Sequence, residues 1–142
     1  MSPEVALLNE GRRREREQTA FYRFLAGDAE LAGDAATAER LNELLADEQH
    51  HVSRLTARLL EMGERLQEEA GTPEIPALAG WEEVARGREA EEVAWYLEAI
   101  RRATDQDTIA ILREILSSER HHHDRLAGKW MPAAPGENED EG

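Results

Sequence analysis

The sequence predicts an all-α fold: a four-helix bundle built as two antiparallel helical hairpins joined by a long crossover. Three observations carry this. The 142 residues are 40% hydrophobic and 34% charged, and they are rich in Ala, Leu, Glu and Arg, which favours helix. Val, Ile and Thr are sparse and no stretch alternates apolar and polar with period two, so a sheet is not expected. Apolar residues recur instead every three or four positions along four long stretches, separated by Gly, Pro and Asp.

The first helix starts at "SPEVALL", where Ser2 can cap and Pro3 suits the first helical position. It runs through "GRRREREQTAFYRFLAG" and is expected to end near Gly27, with Gly11 as an interior weak point. The second covers 35–62 and stops at Gly63, with Leu41, Leu44, Leu45, Val52, Leu55, Leu59 and Met62 on one stripe. Residues 63–80 carry Gly63, Gly71, Pro73, Pro76 and Gly80 and read as a connection. The third helix spans 81–103, with Trp81, Ala85, Val93, Tyr96 and Ile100 on its stripe. "TDQD" is a tight turn, and Asp107 can cap the fourth helix, which runs to about 128 with Leu112, Ile115, Leu126 and Trp130 inward. Short joins make hairpins of helices one and two and of three and four, and the long join permits a crossover along the bundle. Residues 1–130 read as the bundle, and 131–142 as a disordered acidic tail.

Composition excludes several classes of function. A net charge of −14 repels phosphates, so neither nucleic acid nor an anionic membrane is an expected partner. With no cysteine there are no disulfides, iron–sulfur clusters or zinc–thiolate sites. The N-terminus lacks an apolar signal core and no apolar run approaches a membrane span, so a cytoplasmic protein is expected. The run Arg12, Arg13, Arg14 and Arg16 is expected to be a solvated face balancing an acidic protein.

All five histidines fall in two clusters, "DEQHHV" at 47–52 and "SERHHHD" at 118–124. Glu48 and His51 share the stripe of Leu41, Leu44 and Leu55; Glu119 and His122 share that of Leu112, Ile115 and Leu126. Residues three apart lie on one helix face, so each pair can bring an oxygen and an imidazole nitrogen to one point. A lone buried carboxylate costs several kcal/mol or becomes neutral, and a divalent cation would compensate it. His50, His121 and His123 lie off the stripe, with a Glu119–His123 pairing as the alternative in the fourth helix.

Such a centre needs a carboxylate from each remaining helix. "EREQTAFY" (15–22) and "EAEEVAWY" (89–96) match, each with Glu seven residues before Tyr. Glu15 therefore shares a face with Tyr22, and Glu89 with Tyr96. Glu17 competes with Glu15, and Glu92 shares the Glu89 stripe as a further ligand. The chain reads as a duplicated hairpin, E…Y…E-x-x-H twice.

With "EREQTAFYRFLAG", "LADEQHH", "EAEEVAWY" and "LSSERHH" in this order, the chain resembles the rubrerythrin-like (erythrin) branch of the ferritin-like superfamily over about residues 10–128. The resemblance implies a ferritin-like bundle around a non-haem di-iron centre. Glu48 and Glu119 would bridge the metals, His51 and His122 would each bind one, and Glu15 and Glu89 would be terminal. Glu92 matches the extra carboxylate of rubrerythrins. Lacking cysteine, the chain has no rubredoxin domain, so an electron donor would be a separate protein.

Four carboxylates balance two divalent ions, and oxygen-rich ligation with two imidazoles suits iron, with manganese as the other fit. Two such ions can bind the ends of hydrogen peroxide or dioxygen. The sequence reading is thus a di-iron peroxidase protecting against peroxide. The alternatives are a ferroxidase that oxidises Fe(II) for storage or transfer, and a non-enzymatic helical interaction module. Tyr22 and Tyr96 are either hydrogen-bond or electron donors beside the metals, or core aromatics. A homodimer is expected from the prevalence of two-fold assemblies.

Overall fold

The computed structural model describes residues 2–68 and 71–128. Their helices are α1 (Pro3–Leu31), α2 (Ala35–Glu61), α3 (Trp81–Arg102) and α4 (Gln106–Leu126), with a short 3-10 turn at Leu78–Gly80 leading into α3. No strand occurs among the described residues. The closest helix pairs are α1 with α2 and α3 with α4, the two expected hairpins.

Two apolar clusters fix the direction of every helix. One gathers Val5, Leu8, Leu55, Leu59, Tyr96, Ala99, Leu112 and Ile115, from the start of α1, the end of α2, the end of α3 and the start of α4. The other gathers Tyr22, Leu25, Ala29, Ala38, Leu41, Trp81, Ala85 and Leu126, from the opposite ends. The chain therefore rises along α1, descends α2, and returns the length of the bundle before descending α3 and rising along α4. Leu66 packs on the first cluster, and Ile75 and Leu78 on the second, so the connection is a lengthwise crossover.

Side chains of α1 strap that crossover down. Arg12 Nη1 donates to the Gln67 carbonyl at 2.8 Å, Arg16 Nη1 to the Glu68 carbonyl at 2.6 Å, and the Gly71 N–H donates to Glu17 Oε2 at 2.9 Å. Arg13 bonds Glu10 and Glu17, and Arg14 bonds Glu92. The arginine run is thus no merely solvated face. A crossover without helix or strand partners needs external donors for its carbonyls, and guanidinium groups supply them.

Local boundaries differ from the sequence reading in two places. α1 continues past Gly27 to Leu31, because Ala26 and Ala29 are buried in the second cluster and outweigh the glycine penalty of about 1 kcal/mol. The turn falls at Gly33, whose φ of +74° suits glycine, and Asp34 then caps α2 by accepting from the Thr37 N–H. Asp105, not Asp107, caps α4: its Oδ2 accepts from the Thr108 N–H at 3.0 Å and hydroxyl at 2.7 Å. Asp107 stands in the first turn, where a negative charge meets the positive end of the helix dipole. Gly11 lies beneath Trp95, whose ring comes within 3.4 Å of where a Cβ would be. Val52, Met62, Val93 and Ile100 are half-buried at the core's margin. Trp130 and the acidic tail lie outside the described residues.

Candidate metal centre

Between the two apolar clusters the stripes change character. Glu15, Glu48, Glu89, Glu119 and His122 are fully buried, and His51 is 3% exposed. Every helix contributes, and α2 and α4 each contribute two because three residues span almost one turn. His51 Nδ1 lies 3.1 Å from Glu48, 3.2 Å from Glu15 and 3.3 Å from Glu119. His122 Nδ1 lies 3.1 Å from Glu119, 3.4 Å from Glu48 and 3.5 Å from Glu89.

Ligand atoms of Glu15, Glu48, His51 and Glu119 all fall within 4.8 Å of one another, and so do those of Glu48, Glu89, Glu119 and His122. These are two pockets with Glu48 and Glu119 common to both. Three buried oxygens of this layer, Glu48 Oε2, Glu89 Oε1 and Glu119 Oε2, have no hydrogen-bond partner. Orphaned carboxylate oxygens in an apolar interior are costly. Two of them lie within ion-pair range of an imidazole, Glu48 Oε2 at 3.4 Å from His122 Nδ1 and Glu119 Oε2 at 3.3 Å from His51 Nδ1, and a cation held by these carboxylates would satisfy all three.

The surrounding hydrogen bonds fix the remaining lone pairs. Tyr22 Oη donates to Glu89 Oε2 and Tyr96 Oη to Glu15 Oε2, each at 2.6 Å. Both tyrosines are therefore fully buried core aromatics whose hydroxyls also act on the centre. They cross between hairpins, whereas the seven-residue spacing pairs each with the glutamate of its own helix. Gln18 Nε2 donates to the same Glu89 oxygen at 3.3 Å, and its own carbonyl accepts from Arg88. On α2, Asp47 Oδ2 lies 2.8 Å from His122 Nε2. Sequence reasoning missed Gln18 and Asp47. The available signals were their places, one turn after Glu15 and directly before Glu48.

The other sequence candidates stand outside the two pockets. Glu17 holds Gly71 and Arg13, so Glu15 is the α1 carboxylate at the centre. Glu92 is 6% exposed but belongs to neither pocket, and Arg14 Nε donates to it at 3.3 Å. His50 and His121 are exposed. The half-buried His123 faces Asp124 at 3.8 Å, so the partner of Glu119 is His122.

Charge crowding sets the protonation of this layer. Burial and the negative charges of Glu15 and Glu89 push Glu48 up to about 8. Burial, together with Glu15, Glu48 and Glu89, pushes Glu119 well above the usual carboxylate range. Burial acts against the charge on His51, but Glu15 and Glu48 outweigh it and raise the imidazole to about 10. His122 is likewise raised, against burial, by Asp47, Glu48 and Glu89. Glu15 is brought down to about 2 despite burial, chiefly by His51, and Glu89 is lowered despite burial by His122. Together these shifts favour protons on Glu48, Glu119 and both histidines, positive charge that a bound cation could replace.

No family model and no curated protein matches the chain. Among solved structures, the bacterioferritin BfrA of Mycobacterium tuberculosis is similar to it. The TM-score is 0.76 and the identity 21%, over 89% of this chain and 82% of that one. No described helix is long and apolar enough to cross a membrane. With four long helices and no strand among the described residues, and a lengthwise crossover, the chain has the ferritin-like four-helix-bundle fold.

Proposed function

We propose that this chain is a non-haem di-iron oxidoreductase whose substrate is Fe(II), oxidised for storage or transfer. The observation that carries the reading is the pair of buried pockets sharing Glu48 and Glu119, with three carboxylate oxygens left without a hydrogen bond. Four carboxylates and two imidazoles suit iron, with manganese as the other fit. Glu48 and Glu119 would bridge two ions, Glu15 with His51 would complete one pocket, and Glu89 with His122 the other. The fold likeness to a bacterioferritin supports iron oxidation over the peroxide reduction first read from the sequence.

A bound pair of Fe(II) ions supplies two electrons, one each, to an oxidant such as dioxygen or hydrogen peroxide. The chain's own residues prepare that exchange. Glu48, Glu119, His51 and His122 must release protons before they can ligate. Tyr22, Tyr96 and Gln18 hold Glu89 and Glu15 in one orientation.

One observation favours a second reading, peroxide reduction reset by a separate electron-donor protein. Glu92 is buried beside the centre, and burial, against the pull of Arg14, raises it to about 7. It is a fifth carboxylate in reserve. Anaerobic Fe(II) loading of metal-free protein, followed by stopped-flow mixing with dioxygen or peroxide, decides between the readings. Continued Fe(II) uptake with accumulating Fe(III) supports iron handling. Preference for peroxide, with no uptake beyond the first pair, supports the peroxidase. No iron bound, with helix content intact, removes both.

A further inference from the structure

The two pockets are related by the repeat, Glu15, Glu48 and His51 corresponding to Glu89, Glu119 and His122. Their surroundings are not equal. His122 is fully buried, with Nδ1 facing the shared carboxylates and Nε2 bonded by Asp47 Oδ2 at 2.8 Å. An acceptor at Nε2 holds the hydrogen there, so that Nδ1 is the nitrogen that gives up its proton to an ion, and it resists turning of the ring. Asp47 is the residue before Glu48, so its counterpart in the repeat is Ser118, before Glu119. A serine hydroxyl is one bond shorter than an aspartate oxygen. Among the described residues, nothing bonds His51 Nε2; its contacts all run through Nδ1.

We propose that Asp47 is a positioning residue that makes the two ion positions unequal, the His122 pocket filling first and the His51 pocket holding the exchangeable ion. The inference rests on the di-metal reading above and adds an order of loading to it. An anchored imidazole loses no rotational freedom on binding, and the carboxylate partner makes it a stronger donor. The His51 ring must be ordered by the ion itself. In a protein that oxidises and passes on iron, the exchange position is then the one formed by Glu15, His51 and the bridging pair.

The test is calorimetric titration of the metal-free full chain with Co(II), whose absorption bands also report ligand geometry. The parent is expected to bind in two unequal steps. Asp47→Ala is expected to weaken the tighter step by about 10–100-fold and to leave the weaker one unchanged, while Asp47→Asn, which keeps the acceptor, restores most of the loss. The pockets are assigned by repeating Asp47→Ala in His51→Ala protein, where it must weaken the remaining site, and in His122→Ala protein, where it must not. Circular dichroism checks that each variant keeps its helices. Ser118→Asp, which leaves every proposed ligand in place, is expected to tighten the weaker step. An Asp47→Ala variant that binds Co(II) like the parent, or loses both steps alike, overturns the proposal and leaves the di-metal reading standing. A parent that binds no Co(II) overturns both.

Discussion

The Tyr96 hydroxyl on α3 donates to Glu15 Oε2 on α1 across 2.6 Å, and Tyr22 of α1 returns the same bond to Glu89 of α3. Each tyrosine thus steadies the carboxylate of the opposite hairpin. Tyr96→Phe leaves a buried acceptor unpaired and is expected to cost about 1–3 kcal/mol of metal-free stability, measured by denaturant unfolding. It should also weaken ion binding about tenfold without changing the number of ions bound. Unchanged affinity would reduce the tyrosine to packing.

Metal uptake should release protons. With Glu48 raised to about 8 and His51 to about 10, both are expected to be protonated at neutral pH in the metal-free chain, and the upward shifts of Glu119 and His122 favour the same form. Ligation requires all of these groups to deprotonate, so filling both pockets is expected to release about four protons. Affinity should therefore fall as pH is lowered from 8. Titration in buffers of different ionisation enthalpy measures the number, and uptake without release would contradict this charge assignment.

Glu119→Gln keeps the shape of a bridging residue and removes its charge. Because Glu119 is held protonated without metal, the metal-free variant should be at least as stable as the parent. The ion-dependent gain, about 2.7 kcal/mol at a hundredfold excess over Kd, should disappear. Thermal melts with and without Mn(II) separate these effects; a variant still stabilised by Mn(II) would remove Glu119 from the ligand set.

Gly11 is replaceable only by the smallest side chain. An added Cβ would meet the Trp95 ring at 3.4 Å and Leu55 at 3.6 Å, ordinary contact distances. Gly11→Ala is expected to stabilise by about 0.5–1 kcal/mol through helix propensity. Gly11→Leu should destabilise by displacing Trp95. A destabilising alanine would show that Trp95 cannot yield.

Glu4 ties the hairpins together at the far end. Its Oε2 accepts from the Thr104 and Asp105 N–H groups and from the Thr104 hydroxyl. The Thr104 backbone bond is the main cause that lowers its carboxyl below 4.5. A depressed carboxylate stabilises above its unfolded pKa, and the contribution is lost as pH falls through the folded value. Glu4→Ala should thus cost about 1–2 kcal/mol at pH 7 and progressively less below about pH 4.5. A pH-independent difference would assign the effect to packing.

The helices were legible because their stripes and stop signals are local. Glu48, His51, Glu119 and His122 stood out because ionisable groups interrupt an apolar stripe. Glu15 could not be separated from Glu17 by spacing alone; what separates them is Gly71, which engages Glu17 from 54 positions away. The crossed tyrosines were invisible for the same reason, since a seven-residue spacing reports a shared face and not the neighbour across the bundle. Gly27 misled because burial of Ala26 and Ala29 is a tertiary effect that no propensity contains.

Neither hairpin owns a complete pocket. The one around His51 borrows Glu119 from α4, and the one around His122 borrows Glu48 from α2. A single hairpin carrying E…Y…E-x-x-H could therefore build the whole centre by associating with a copy of itself. Joining the copies through residues 62–80 makes assembly independent of concentration. It also frees the halves to diverge, since a change in one is no longer imposed on the other. Aspartate before one Glu-x-x-His and serine before the other is such a divergence, available to one fused chain and closed to a dimer of identical halves.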